Sequence, residues 1–272
     1  MTESDREIIL AGCHGEPVSA RVGDVGSGIP LVFLHGLLGL NEHWTGLVAQ
    51  VRHAARCLTL ELPLLSLRGR NCSLDGVISV VADFLRKIDH PYPVVVGNSF
   101  GGHIALRVAI EHGHRLGGLV LAGSAGLLEK SFETDFQIRP SKEWLRKRIA
   151  ELYYDPSTHM SESDLDRAFH ELSQRHSARA LVRLAREARR NHLGDLIHTI
   201  AVPTLVVWGR NDVVTPPEAA HEFARAIPDT RTVWLDECGH APMIEKPEEF
   251  GRALVSFADE IESMRGSSVA PA

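Results

Sequence analysis

Short β-branched runs alternate with longer helical stretches along most of this chain, and that alternation constrains the fold more than any other feature. The runs at 30–35 (PLVFLH), 56–62 (RCLTLEL), 93–97 (PVVVG), 118–122 (GLVLA), 203–208 (PTLVVW) and 231–235 (RTVWL) are bounded by Gly, Pro, Asn or Asp. Continuous apolar strands of this kind need burial on both faces, which a mostly parallel sheet covered by helices provides. Two earlier segments, 8–11 and 18–22, are expected to be antiparallel strands at the sheet edge. Between the strands, 75–88 places Val77, Val80, Val81, Phe84, Leu85 and Ile88 on one helical face. Segments 223–227 and 250–261 continue the alternation. The second of these helices is expected to open at Lys246-Pro247-Glu248-Glu249, where a proline and acids suit a first turn.

The pattern breaks between 126 and 196. Strands vanish there, and the sequence from Trp144 through Arg190 is helical and arginine-rich. A helical block between two strands of one sheet is expected to be an inserted cap. The chain then divides into a first part of an α/β core (1–125), a helical cap (126–196) and a second part of the core (197–272). The Gly-Ser-Ser-Val-Ala-Pro-Ala tail is expected to fray.

Chemistry concentrates at Gly97-Asn98-Ser99-Phe100-Gly101-Gly102, which follows Val94-Val95-Val96 and precedes a helical start at His103-Ile104-Ala105-Leu106. This is the G-x-S-x-G nucleophile elbow in its strand–turn–helix setting. The serine sits in a tight, strained turn, so its neighbours two residues either way must lack side chains. The turn also aims the Phe100 N–H at the place where an oxyanion would form. A serine hydroxyl is a poor nucleophile without an adjacent base. His240, in Cys238-Gly239-His240-Ala241-Pro242 after the last strand, fits that role, and Asp212, after the preceding strand, fits the group that holds the histidine's tautomer. All three lie at carboxyl ends of strands, where open α/β sheets bind ligands, in the order Ser…Asp…His. Asp236 and Glu237 compete for the acid role, but Asp236 would face the histidine from its own loop. A second oxyanion N–H is expected from Leu37 in His35-Gly36-Leu37-Leu38-Gly39, with His35 orienting that loop.

Together these residues resemble the capped α/β-hydrolase superfamily over nearly the whole chain. Within it, Gly97-Asn98-Ser99-Phe100-Gly101-Gly102, Trp208-Gly209-Arg210-Asn211-Asp212 and Cys238-Gly239-His240 are similar to the bacterial meta-cleavage-product hydrolases, which split a carbon–carbon bond in 2-hydroxy-6-oxo-dienoates; related serine esterases carry similar pieces. Two departures stand out. Many members of the superfamily carry D-x-P-G-x-G-x-S where this chain has Glu61-Leu62-Pro63-Leu64-Leu65-Ser66, and the C–C hydrolases commonly carry tryptophan where it has Ala241.

The resemblance implies a Ser-His-Asp hydrolase of a small carboxylic ester or a ketone C–C bond, with no metal or organic cofactor and with Asn98 lining the polar part of the site. It also implies a cap arginine that binds a substrate carboxylate, for which Arg167 and Arg175 are candidates. From Arg139 to Arg190 there are 12 Lys/Arg against 8 Asp/Glu, and Arg179, Arg183, Arg186 and Arg190 recur at helical spacing, either as a solvated stripe or as an attractant for anions. Alternatives on the same triad are a cofactor-free haloperoxidase, a lyase, an acyltransferase, or a hydrolase-like ligand-binding protein with negligible turnover.

Composition narrows the partners. A net charge of −6 gives no global attraction for nucleic acid or an anionic membrane. No stretch approaches the ~20 apolar residues of a membrane span, and the first seven residues lack a basic start followed by an apolar run. Cys13, Cys57, Cys72 and Cys238 form no CxxC pair or metal spacing and are expected to be free thiols. A cytoplasmic protein acting on a small molecule is expected, with self-association left open.

Overall fold

The computed structural model describes residues 6–127 and 140–266. Residues 128–139 of the expected cap and the tail from 267 onward lie outside the described residues. Eight strands form one sheet: β1 (Arg6–Ala11), β2 (Pro17–Val25), β3 (Pro30–Leu34), β4 (Arg56–Glu61), β5 (Val94–Asn98), β6 (Gly118–Ala122), β7 (Thr204–Gly209) and β8 (Thr230–Leu235). Their spatial order is β1-β2-β4-β3-β5-β6-β7-β8. β1 pairs with β2, and β2 with β4, antiparallel; every other neighbour is parallel. The fold is that of an α/β-hydrolase, with the two expected antiparallel strands at one edge.

The core follows from the pleat. Successive residues of a strand point to opposite faces, so Val32, Leu34, Val95, Leu119, Leu121, Val206 and Trp208 enter one apolar layer. Their neighbours Leu31, Phe33, Val94, Val96, Val120, Leu205 and Val207 enter the other. The first layer is closed by α2 (Leu74–Lys87), α3 (Phe100–His112) and α8 (Pro217–Ala226), and the second by α1 (Thr45–Val51) and α10 (Pro247–Gly266). In α2, Ser73 caps the first turn by accepting from Gly76 N, and Arg86 and Lys87 sit in the last turn, where the helix dipole favours cations.

Two helix boundaries differ from the sequence expectation. Ile88 adopts an extended conformation after α2 rather than closing it. α8 begins six residues before 223, at Pro217, because proline fits the first position of a helix, where no intrahelical N–H bond is lost.

Between β6 and β7 the described chain is helical: α4 (Lys142–Ala150), α5 (Pro156–His159), α6 (Glu162–Ser173) and α7 (Arg175–Arg190). Leu145, Ile149, Leu165, Ala168, Leu172 and Leu181 form a small core of their own, against which Leu37, Leu38 and Leu65 pack. α7 joins that core to the main one, since Ala180, Leu184 and Ala188 belong to the first sheet layer. Its junction with α2 is fixed by Glu187, whose carboxylate accepts from Leu74 N at 3.0 Å. The remaining helix, α9 (Pro242–Glu245), lies just after β8. Among the described residues no helix is long and apolar enough to cross a membrane.

Candidate active site

Ser99 stands between β5 and α3 with φ 55° and ψ −121°. That left-handed backbone costs about 1–3 kcal/mol for a residue with a side chain, and it persists because the surroundings leave no alternative. A Cβ on Gly101 would lie 2.1 Å from Leu34 O, and one on Gly97 would lie 2.5 Å from Gly101 O. Both glycines are therefore required by close backbone approach. Ser99 N donates to Ala122 O and Gly123 O, and Ser99 O accepts from His103 N and Ala125 N, which ties the turn to β6 on one side and α3 on the other.

His240 Nδ1 donates to Asp212 Oδ2 at 2.8 Å, and both residues are buried. Asp212 is fully saturated: Oδ1 accepts from Val214 N and Thr215 N, each at 2.9 Å, and Oδ2 also accepts from Thr215 Oγ1 at 2.9 Å. Thr215 Oγ1 also lies 3.1 Å from His240 Nδ1, so this buried threonine touches both members of the pair. The sequence reading missed Thr215, although an Asp followed three residues later by Thr after a strand is a turn in which the carboxylate caps the following backbone. With Nδ1 committed to Asp212, Nε2 is the ring nitrogen left for a substrate-side hydroxyl. The rivals for the acid role face solvent: the Asp236 side chain is 84% exposed and pairs with Arg210, and that of Glu237 is 71% exposed.

Asn98 Nδ2 donates to Ala122 O at 2.9 Å and to His240 O at 3.0 Å. It thus joins the serine turn to the histidine loop while lining the cavity. In the loop after β3, His35 Nδ1 donates to Gly36 O at 2.7 Å, and Nε2 accepts from Leu62 N at 3.0 Å. Burial lowers the His35 pKa to about 4, so the ring stays neutral and shapes the loop, as expected. Leu37 lines the cavity. Phe100 is the first residue of α3, and its N–H has no acceptor within the helix.

Ser99, Asn98, His240, Leu37, Ala241 and Arg167 share one cavity with an empty volume of about 1220 Å³, including solvent at its mouth. The helical segment supplies much of the remaining wall through Trp144, Leu145, Arg148, Ile149, Leu172 and Leu181. Arg167 is already paired, 3.5 Å from Asp164 and 3.9 Å from Glu171. Arg148, which the sequence did not single out, pairs with Glu151 at 2.9 Å and stacks on Trp144 at 5.4 Å. His43 lies 3.6 Å from Asp164 and, with Arg167 nearby, holds that carboxyl below the usual range. Arg175 is exposed at the start of α7 and stands apart from the cavity, and so do Arg179, Arg183, Arg186 and Arg190. The remodelled stretch 61–66 also lies off the cavity wall, with Leu65 packed on the small helical core.

The chain is similar to 2-hydroxy-6-oxo-6-(2'-aminophenyl)hexa-2,4-dienoic acid hydrolase of Metapseudomonas resinovorans, with 28% identity over 254 residues that cover 88% of this chain and 87% of the relative. It is also similar to pimeloyl-[acyl-carrier protein] methyl ester esterase of Nitrosomonas europaea, 26% identical over 85% of this chain and 96% of that one. A crystal structure of a serine hydrolase involved in carbazole degradation superposes with a TM-score of 0.78 at 25% identity, covering 94% of this chain and all of the other. The profile of the alpha/beta hydrolase family matches residues 31–253, a span that holds the serine turn, the Asp–His pair and the helical segment between them. With that match and this geometry, the chain belongs to the alpha/beta hydrolase family.

Proposed function

We propose that the protein is a serine hydrolase of small carboxylic esters or of C–C bonds next to a ketone, working through Ser99, His240 and Asp212. The observation that carries this reading is the buried 2.8 Å His240–Asp212 hydrogen bond on the wall of the cavity that also holds the strained Ser99. In this mechanism His240 Nε2 takes the proton of Ser99 Oγ as that oxygen attacks a carbonyl carbon. Asp212 keeps the proton on Nδ1 and stabilises the imidazolium. The N–H groups of Phe100 and Leu37 receive the oxyanion. Collapse expels the alcohol, or the carbanion of a ketonised dienoate, with the proton returned by His240, and water then releases the acyl group by the same route.

The described helices α4 to α7 act in this reading as the cap expected between 126 and 196, shaping the substrate end of the cavity. The names of the relatives support both bond types, one cleaving a dienoate and the other a methyl ester. Ala241 lines the cavity where many C–C hydrolases carry tryptophan, and the room it leaves favours a bulkier or differently shaped acyl group. A panel of p-nitrophenyl esters of graded chain length, run beside a 2-hydroxy-6-oxo-dienoate, tests the proposal and separates the two bond types. Turnover that survives Ser99→Ala on every substrate would remove it.

A further inference from the structure

Glu245 closes α9 five residues after His240, and burial leaves it 7% exposed. Its carboxylate turns back to the histidine loop, where Oε1 accepts from Gly239 N at 2.9 Å, and reaches across to the helical segment, where Oε2 accepts from Tyr154 N at 2.7 Å. A third hydrogen bond crosses the same seam, from His240 N to Leu152 O at 2.8 Å. The two backbones meet so closely that a Cβ on Gly239 would lie 2.8 Å from Leu152 O and 2.9 Å from Tyr154 N. Leu152 and Tyr153, held by these bonds, also line the substrate cavity.

We infer that Glu245 is a positioning residue that clamps the His240 loop to residues 152–154, so that docking of the helical segment and placement of the imidazole form one event. The inference rests on the serine-hydrolase reading above. A buried carboxylate is costly unless hydrogen-bonded, and here donors converge on it from both sides of the seam: Gly239 N and the Cys238 thiol, at 3.9 Å, on Oε1 from the histidine loop, with Ala241 N also bonded to the carboxylate, and Tyr154 N on Oε2 from the helical segment. Nothing smaller or singly accepting replaces it: an amide in its place offers one oxygen for donors on both sides and turns an NH2 group toward one of them. His240 is held at its backbone by Leu152 O and Asn98 Nδ2 and at its ring by Asp212. Loosening the 152–154 contact therefore removes one of the two bonds on the backbone of the histidine while leaving the Asn98 and Asp212 bonds in place.

The test compares wild type, Glu245→Gln, Gly239→Ala and the double variant with p-nitrophenyl acetate, an ester small enough to depend little on cavity contacts. Active sites are counted by exhaustive fluorophosphonate labelling of Ser99, read by mass spectrometry, and melting temperatures are recorded alongside. The clamp predicts that kcat per labelled site falls at least tenfold in each single variant while KM stays within about threefold. It also predicts that the double variant is no worse than about threefold below the weaker single one, because both changes open the same contact. A residue that only stabilises the fold would lower the melting temperature and the labelled fraction and leave kcat per labelled site within twofold of wild type; that result, or losses that multiply in the double variant, overturns the inference. Wild-type protein that neither labels at Ser99 nor hydrolyses the ester removes the serine-hydrolase reading itself, and the clamp with it.

Discussion

Asp212→Asn separates charge and tautomer from shape. Four donors surround the carboxylate: Val214 N and Thr215 N on Oδ1, and Thr215 Oγ1 and His240 Nδ1 on Oδ2. The two backbone donors cannot change role, so an asparagine there must turn its oxygen to them and its NH2 group toward Thr215 and His240. Thr215 can rotate its hydroxyl and accept. The imidazole can accept only by moving its proton to Nε2, which disables that nitrogen as a base for Ser99. The shape is kept and the base is lost. The expected fall in kcat is on the order of 10⁴, about 5.5 kcal/mol of transition-state stabilisation. The folded state retains both backbone hydrogen bonds, so the melting temperature should move by no more than about 6 °C, equivalent to roughly 2 kcal/mol in a chain of this size. Steady-state hydrolysis of p-nitrophenyl butyrate, with calorimetry on the same preparation, reads both quantities. A loss below tenfold in a folded variant would refute the tautomer argument, and a much larger loss from Asp236→Asn would move the acid role to the exposed rival.

Thr215→Val removes the hydroxyl donor to Asp212 Oδ2; a hydrogen bond to a charged group is worth about 1.5–3 kcal/mol, so kcat should fall roughly ten- to a hundredfold with KM little changed. Ser99→Ala should leave less than about a thousandth of wild-type turnover in a protein that still melts cooperatively. With Arg167 paired to Asp164 and Glu171 and Arg175 exposed, replacing either by Gln should change KM for a carboxylate-bearing ester and for its methyl ester alike, and a rise in KM confined to the acid in Arg167→Gln would establish an anionic subsite instead. Burial lowers the pKa values of His35 and His103 to about 4. The unfolded chain therefore binds protons at these sites between pH 6.5 and pH 4 that the folded chain refuses, and stability is lost as pH falls through that window, by up to about 1.4 kcal/mol per pH unit for each ring. Urea unfolding at pH 7 and pH 5 checks this, and equal midpoints would refute it.

The strands were legible because burial on both faces demands continuous apolar runs, and residues such as Val94, Val95 and Val96 satisfy no other arrangement as well. The serine turn was legible for a steric reason: Gly97 and Gly101 sit where backbone approaches within 2.5 Å and 2.1 Å of a built Cβ. Thr215 and Glu245 were not. Their importance comes from partners 25 residues away, for Thr215 and His240, and 91 residues away, for Glu245 and Tyr154. For Thr215 the Asp-x-x-Thr spacing marks the carboxylate it caps but not its contact with His240, and for Glu245 no local period or spacing records Tyr154. The start of α8 was hidden by Pro216-Pro217, which serves equally as a loop or as a first turn. Arg148 and Arg175 were indistinguishable by type, and only packing places the first on the cavity wall and the second in solvent.

The charge of the helical segment shows why composition is a poor guide to specificity here. Its excess of arginine is concentrated on α7, where Arg175, Arg179, Arg183, Arg186 and Arg190 are exposed. The opposite face of the same helix carries Ala180, Leu184 and Ala188 into the main core and Leu181 into the cavity wall. An amphipathic helix anchored in a core must present its polar face to water, so the arginine stripe follows from the anchoring and needs no anionic ligand to explain it. The two arginines that do reach the cavity are matched inside the segment by Asp164, Glu171 and Glu151. A substrate carboxylate would have to compete with these partners at close range, whereas an apolar acyl chain meets Leu145, Ile149, Leu172 and Leu181 without displacing anything. Burial of a chain of four methylenes on that wall is worth about 3 kcal/mol, comparable to one charge-assisted hydrogen bond. Shape and apolar contact can therefore set the preference of this pocket even though its sequence is rich in positive charge.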